Sequence, residues 1–179
     1  MSTVFIGGSR RLGRLNNVIR ERLDNIVKRG LHVVIGDADG SDRAVQAFLA
    51  ERLYRDVVVY CMEGGCRNNV GGWTVQSVNA DGKRGFDYYA LKDAEMTRQA
   101  DCGFMIWDAK SRGTLLNIMR MLESGKPTVV YFAPTHKCST IRTRSDLNGL
   151  LEHCSPSDCQ RLGRLLGTNW EQAALFVRE

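Results

Sequence analysis

Short apolar runs alternate along most of this chain with longer stretches whose apolar positions recur every three or four residues. Thr3–Ile6, His32–Ile35, Val57–Cys61, Gly103–Trp107 and Thr128–Phe132 are β-branched and apolar throughout, as strands covered on both faces are. Between them, Leu15–Arg29 places Val18, Ile19, Leu23, Ile26 and Val27 on one helical face and meets a terminator at Gly30. The helical pattern Arg43–Arg52 takes its apolar face from Ala44, Val45, Phe48, Leu49 and Leu53, and Phe86–Ala100 and Gly113–Ser124 return to helix. Strands alternating with helices predict parallel pairing and right-handed crossovers. The expected fold is therefore α/β: a Rossmann-like, doubly wound, mainly parallel five-stranded sheet with helices on both faces.

Two stretches break the pattern. Met62–Gly85 is glycine-rich and reads as a long loop, a lid in functional terms. Beyond a domain at 1–133, residues 134–179 form a helical C-terminal extension, packed on the same domain or on a dimer partner. Leu147, Leu150 and Leu151, then Leu162, Leu165 and Leu166, mark two short helices, and Trp170–Phe176 a third.

At 179 residues with 43% hydrophobic content, one compact domain is expected. No apolar run approaches the roughly 20 residues needed to cross a bilayer, and Met1–Ile6 runs straight into a strand pattern without a signal-peptide profile. A cytoplasmic location follows, and with it six cysteines as thiols, Cys61 and Cys102 in the core. Cys138, Cys154 and Cys159 lie near His136 and His153, but their spacings match no zinc pattern, so no metal is expected. The net charge of +5 is modest and spread without a basic stripe; it suits an anionic ligand as well as a nucleic acid and decides nothing alone.

The chemistry is concentrated where strands end, the place at which doubly wound sheets bind ligands. Gly7-Gly8-Ser9-Arg10 offers backbone N–H groups and a phosphate-pairing guanidinium. Gly36-Asp37-Ala38-Asp39-Gly40-Ser41-Asp42 crowds three carboxylates at a helix start; ribose hydroxyls or pairing with Arg10 or Arg43 would relieve Asp37 and Asp39, ahead of a metal, for which no further Asp/Glu/His cluster supplies ligands. Asp108-Ala109-Lys110-Ser111-Arg112-Gly113-Thr114 presents donors at a helix N-terminus, an anion site unlike the ATPase loop GxxxxGK. In the long loop Arg67, Asn68 and Trp73 suit closure over a base, and Lys92 and Asp93, after Tyr88 and Tyr89, face the same cleft. A plainer reading competes at each point: tight turns with solvated arginines, Ser41 as a helix cap, Asp42 placed by the helix dipole, Trp73 tucked into the domain.

Together the three turns, with Arg67-Asn68-Asn69-Val70-Gly71-Gly72-Trp73 and Lys92-Asp93, resemble the SLOG superfamily of Rossmann-like nucleotide-binding domains, in its small bacterial and phage branch. The resemblance covers roughly residues 1–135. It implies nucleotide binding, and often dimers; relatives include the Lonely Guy phosphoribohydrolases and DNA-processing protein A. The phosphoribohydrolases carry a PGGxGTxxE turn. Here Ala109, Lys110 and Ser111 stand in place of Pro-Gly-Gly, and Asn117 in place of the glutamate. An amide supplies no general base, so binding is expected ahead of catalysis.

Three functions follow in order. The first is a sensor or binding module for a nucleoside phosphate, dinucleotide or ADP-ribose-like ligand, with no separate cofactor. Gly7, Gly8, Ser111, Gly113 and Thr114 would hold phosphate, Arg10 and Arg112 add charge, Asp37 or Asp39 read ribose, and Trp73 stack on the base. The second is a nucleotide hydrolase cleaving an N-glycosidic bond, with Asp37 or Asp39 as the catalytic carboxylate. The third is single-stranded DNA binding. A homodimer could use Leu115, Ile118, Met119 and Leu122, although burial within the protomer explains that face equally well.

Overall fold

A computed structural model describes residues 2–80, 82 and 85–166. Its elements run β1 (Thr3–Gly8), α1 (Asn17–Lys28), β2 (His32–Gly36), α2 (Ser41–Glu51), β3 (Val57–Met62), β4 (Thr74–Val78), α3 (Gly85–Gln99), β5 (Cys102–Trp107), α4 (Arg112–Glu123), β6 (Thr128–Phe132), β7 (Lys137–Ile141), α5 (Arg144–Leu151) and α6 (Pro156–Leu166). The strands form one sheet in the order β4-β3-β2-β1-β5-β6-β7. All neighbours are parallel except β7, which returns antiparallel to β6.

The sheet has seven strands where the apolar pattern predicts five, and both additions are edge strands. β4 falls inside the stretch expected to be loop. Its Thr-Val-Gln-Ser-Val sequence is largely exposed, so no apolar run announces it. β7 lies in the extension expected to be helical, and its Lys-Cys-Ser-Thr-Ile sequence is equally polar. It reaches β6 through a short turn at Ala133–Thr135, closed by His136 at a φ of 55°. Polar edge strands of this kind discourage pairing with other chains. The two helices expected after Ala133 are present as α5 and α6, and the third, at Trp170–Phe176, lies outside the described residues.

Alternation along each strand divides the core between two layers. Val4, Ile6, Val33, Ile35, Val59 and Ile106 point to α1 and α2, where Ile19, Leu23, Val45, Phe48 and Leu49 meet them. Phe5, Val34, Met105, Trp107 and Val130 point to the other face, against Met96 of α3, Leu115, Ile118 and Met121 of α4, and Leu147 of α5. Leu115 and Ile118, the centre of the proposed dimer face, are fully buried here within the protomer. Among the described residues, no helix is long and apolar enough to cross a membrane.

Chain reversals are set locally. Asn16 caps α1 by accepting from the Ile19 N–H at 3.1 Å, and Gly30 closes it at a φ of +61°. Ser41 is not the cap expected for α2. It is the first helical residue, and its Oγ donates to the Ser9 and Leu12 carbonyls at 2.9 and 3.0 Å. Those bonds fasten the β1–α1 loop to the start of α2.

Candidate functional site

β1 is flanked by β2 on one side and β5 on the other, so the order of the strands reverses there. Chains leaving the two sides diverge to opposite faces and open a crevice at their carboxyl ends. A cavity of about 460 Å³ occupies it, within the usual range for small-molecule sites. The structure brings Gly7, Gly8, Ser9, Arg10, Asp42, Lys92, Asp108, Ser111, Gly113 and Thr114 to its walls. Gly36, Asp37, Asp39, Gly40, Arg67, Asn68, Trp73 and Arg112 are not among the lining residues.

The reasons differ. Asp37 is buried and consumed by cations: its carboxylate accepts from Lys92 Nζ at 2.9 Å and from Arg67 Nη2 at 2.6 Å, Nε at 3.2 Å and backbone N–H at 3.1 Å. Burial opposes its charge, but the Arg67 and Lys92 contacts overcome that and hold the carboxyl well below the usual carboxylate range. Asp39 is exposed and accepts from Asn68 Nδ2 at 3.1 Å; the same amide donates to the Asp37 carbonyl. Arg67 and Lys92, rather than the expected Arg10 or Arg43, pair with Asp37, and the Asn68 amide with Asp39. Trp73 is a core residue, with its indole N–H donating to the Tyr54 carbonyl at 2.8 Å. It does not line the cavity.

The glycines also serve packing. A Cβ on Gly8 would come within 2.6 Å of the Ile106 carbonyl and 2.7 Å of Ser41, and one on Gly36 within 2.7 Å of Lys92 Nζ and 2.5 Å of Asp42 Oδ2. Gly40, at a φ of +80°, lies against the Arg10 backbone. The absent side chains let β1, β2 and α2 close on one another and leave the Asp42–Lys92 neighbourhood intact.

One end of the cavity is built for an anion. Ser111 caps α4, accepting from the Thr114 N–H and Oγ1, and Gly113 stands in that first turn. The unpaired N–H groups of a helix start, and its dipole, favour negative charge. Asp108, on the cavity wall, also organises this turn. Its Oδ1 accepts from the Lys110 and Ser111 N–H groups, and its Oδ2 from Ser9 Oγ at 2.7 Å. Arg10, Arg11 and Lys110 surround the opening.

The opposite wall comes from α3 and α4. Tyr89, Lys92, Asp93 and Met96 recur at helical spacing on α3, facing Gly113, Asn117 and Arg120 on α4. Asn117 Nδ2 donates to Asp93 Oδ2 at 3.0 Å, and Asn117 Oδ1 accepts from Arg120 Nη1 at 3.3 Å. Sequence reading found Asn117 only as a missing glutamate and did not find Arg120; the polar stripe Gly113–Asn117–Arg120 was the available signal. Asp42 completes the wall. Burial, reinforced by Asp93 and Asp37 and opposed by Lys92, pushes its carboxyl up to about 6. The cavity thus holds a titratable carboxyl beside the Asp93 carboxylate.

The stretch after β3 departs from expectation in a second way. Cys61 and Cys66 are paired as a disulfide, with Cα atoms 5.1 Å apart, where free thiols are expected. Spacing alone does not report the turn that brings them together. Gln46 holds the same stretch down. Its Nε2 donates to the Gly36 and Asn68 carbonyls, and its Oε1 accepts from the Val70 N–H. Among the described residues, no group of three or more His, Cys, Asp or Glu side chains is placed to hold a metal.

No protein-family model matches the sequence, and no curated protein matches it. The fold is similar to that of DNA processing protein A from Helicobacter pylori, reported for its single-stranded DNA binding mode. The TM-score is 0.58 with 16% identity, over 93% of this chain and 80% of that one. At that identity the likeness speaks for the Rossmann-like architecture.

Proposed function

We propose that the protein binds a nucleotide or nucleotide-derived ligand in the cleft at the β1–β5 switch point. Phosphate lies at the start of α4, against Ser111, Gly113 and Thr114, with Arg10 and Lys110 adding charge. Sugar hydroxyls donate to Asp42 or Asp93 rather than to Asp37 or Asp39. The observation that carries this reading is one cavity joining a helix N-terminus to a pair of carboxyl groups. Those are the two chemistries that a sugar phosphate requires. Mass spectrometry of small molecules released from protein purified without added nucleotide tests it. A stoichiometric nucleotide-derived mass supports it; an empty protein that also fails to bind AMP, NAD or ADP-ribose overturns it.

Hydrolysis of an N-glycosidic bond is a variant of the same reading, and its chemistry moves to other residues. Asp37 is ion-paired and Asp39 lies off the cavity, so Asp42 is the group able to deliver a proton near neutrality and Asp93 the adjacent carboxylate. Free base released from AMP or NAD by wild type, and not by Asp42→Asn, is its signature.

Single-stranded DNA binding is favoured by a different observation. Arg10, Arg11 and Arg14 are all exposed on the loop after β1, and the fold is shared with a protein described as binding single-stranded DNA. A salt-sensitive affinity for an oligonucleotide, lowered when these arginines are replaced, would identify it.

A further inference from the structure

Cys61 is the fifth residue of β3 and is buried in the layer against α1 and α2, whereas Cys66 is half-buried in the turn that follows. Gly64 and Gly65, at φ values of +100° and +115°, let the chain double back so that the two sulfurs bond. The next residue is Arg67. Its backbone N–H and its guanidinium both bind Asp37, and the same guanidinium lies 5.0 Å from the Tyr89 ring centroid. Tyr89 in turn lines the cavity and also sits 5.2 Å from the Arg10 guanidinium. A continuous path therefore runs from β3 through the disulfide to Arg67, and from Arg67 to the wall of the cleft.

We propose that Cys61 and Cys66 are a reversible redox latch, which in its oxidised form fixes Arg67 against Asp37 and Tyr89 and in its reduced form releases that wall of the cleft. The step balances with a small-molecule thiol such as glutathione. Its thiolate attacks Sγ of Cys66, the more accessible sulfur; the Cys61–Cys66 bond breaks, and its electron pair leaves on the Cys61 sulfur, which takes a proton. A second thiol then frees Cys66, giving two protein thiols and one small-molecule disulfide. Oxidation by that disulfide is the reverse, with two electrons passing from the protein to the oxidant. The other cysteines are poor competitors. Burial pushes the thiols of Cys102, Cys138 and Cys159 up, and that of Cys154 up to about 12, so few thiolates form there.

The consequence for ligand affinity rests on the cleft being the binding site; the latch itself does not. Protein equilibrated with reduced or with oxidised glutathione is alkylated and mapped by mass spectrometry, and amide exchange is followed in both states. In oxidised buffer Cys61 and Cys66 should resist alkylation. On reduction, exchange at Arg67 and Asn68 should accelerate by about tenfold or more, as for a segment losing a local tether. Cys66→Ser should exchange at the fast rate in both buffers; should it fold poorly, the wild-type comparison decides alone. Alkylation of both residues in oxidised buffer, or oxidation that leaves exchange unchanged, overturns the latch. Equal AMP or ADP-ribose affinity in the two states overturns its coupling to the cleft and leaves nucleotide binding standing; absence of any binding, with the exchange difference intact, does the opposite.

Discussion

Asp37 Oδ1 and Lys92 Nζ form an ion pair 2.9 Å apart, with 3% and 4% of their side chains exposed. Both residues are expected from sequence to face a ligand; Lys92 lines the cavity while bonding Asp37, and Asp37 lies off the cavity with Arg67 as its second cationic partner. Removing one member of a buried pair leaves an uncompensated charge. Asp37→Asn should therefore cost about 3–5 kcal/mol of stability in urea denaturation. A variant that is as stable as wild type but cannot bind nucleotide would return Asp37 to the ligand set.

Asp42 behaves in the opposite sense. Its folded carboxyl lies at about 6, above the ordinary value of a free aspartate. The folded state therefore holds the proton more tightly than the unfolded chain. The stabilisation is complete below about pH 4 and lost as pH rises through about 6, on the order of 3 kcal/mol in all. Asp37, held low, contributes the reverse: stability present above the ordinary carboxylate range and lost only at strongly acidic pH. Urea midpoints measured from pH 4 to 7 should fall in wild type relative to Asp42→Asn. Parallel profiles would show that Asp42 titrates normally.

From sequence Trp73 suits either stacking on a base or burial in the domain, and its position in the core favours the second. Trp73→Phe removes the donor to the Tyr54 carbonyl and part of a buried ring. A loss of about 1–3 kcal/mol is expected in thermal or chemical denaturation. Nucleotide affinity of the folded variant should be unchanged. Weakened binding without loss of stability would place the indole at the ligand.

What the sequence discloses divides along physical lines. The central strands were legible because burial on both faces demands continuous apolar runs such as Val33-Val34-Ile35 and Phe104-Met105-Ile106. β4 and β7 were not, because an edge strand needs no such run. The strand-end turns at Gly7–Arg10 and Asp108–Thr114 both reach the cavity walls, because topology places them there, whereas the second turn reaches it through Ala38 and Asp42. The roles of individual carboxylates were not legible. Asp37, in the loop after β2, and Asp42, in the first turn of α2, are five residues apart, yet Arg67, twenty-five positions beyond Asp42, pairs with only the first. Partners of that kind are set by tertiary structure, and no local pattern encodes them.

The exposed arginines after β1 give a test between ligand classes. With nucleotide as the ligand, oligonucleotide affinity should stay within the non-specific range, a Kd of about 10⁻⁴–10⁻⁶ M at physiological salt. Fluorescence anisotropy of a labelled single strand measures it. Nanomolar binding that collapses on replacing Arg10, Arg11 and Arg14 with alanine would favour DNA.

The central claim is that a nucleotide phosphate sits at the start of α4. Calorimetric titration of wild type and Gly113→Val with AMP, NAD and ADP-ribose tests it most directly, with circular dichroism confirming that the variant folds. Saturable binding of at least one of the three by wild type, and none by a folded Gly113→Val, is the expected result. Binding that survives the valine, or wild type that binds none of the three, would contradict it.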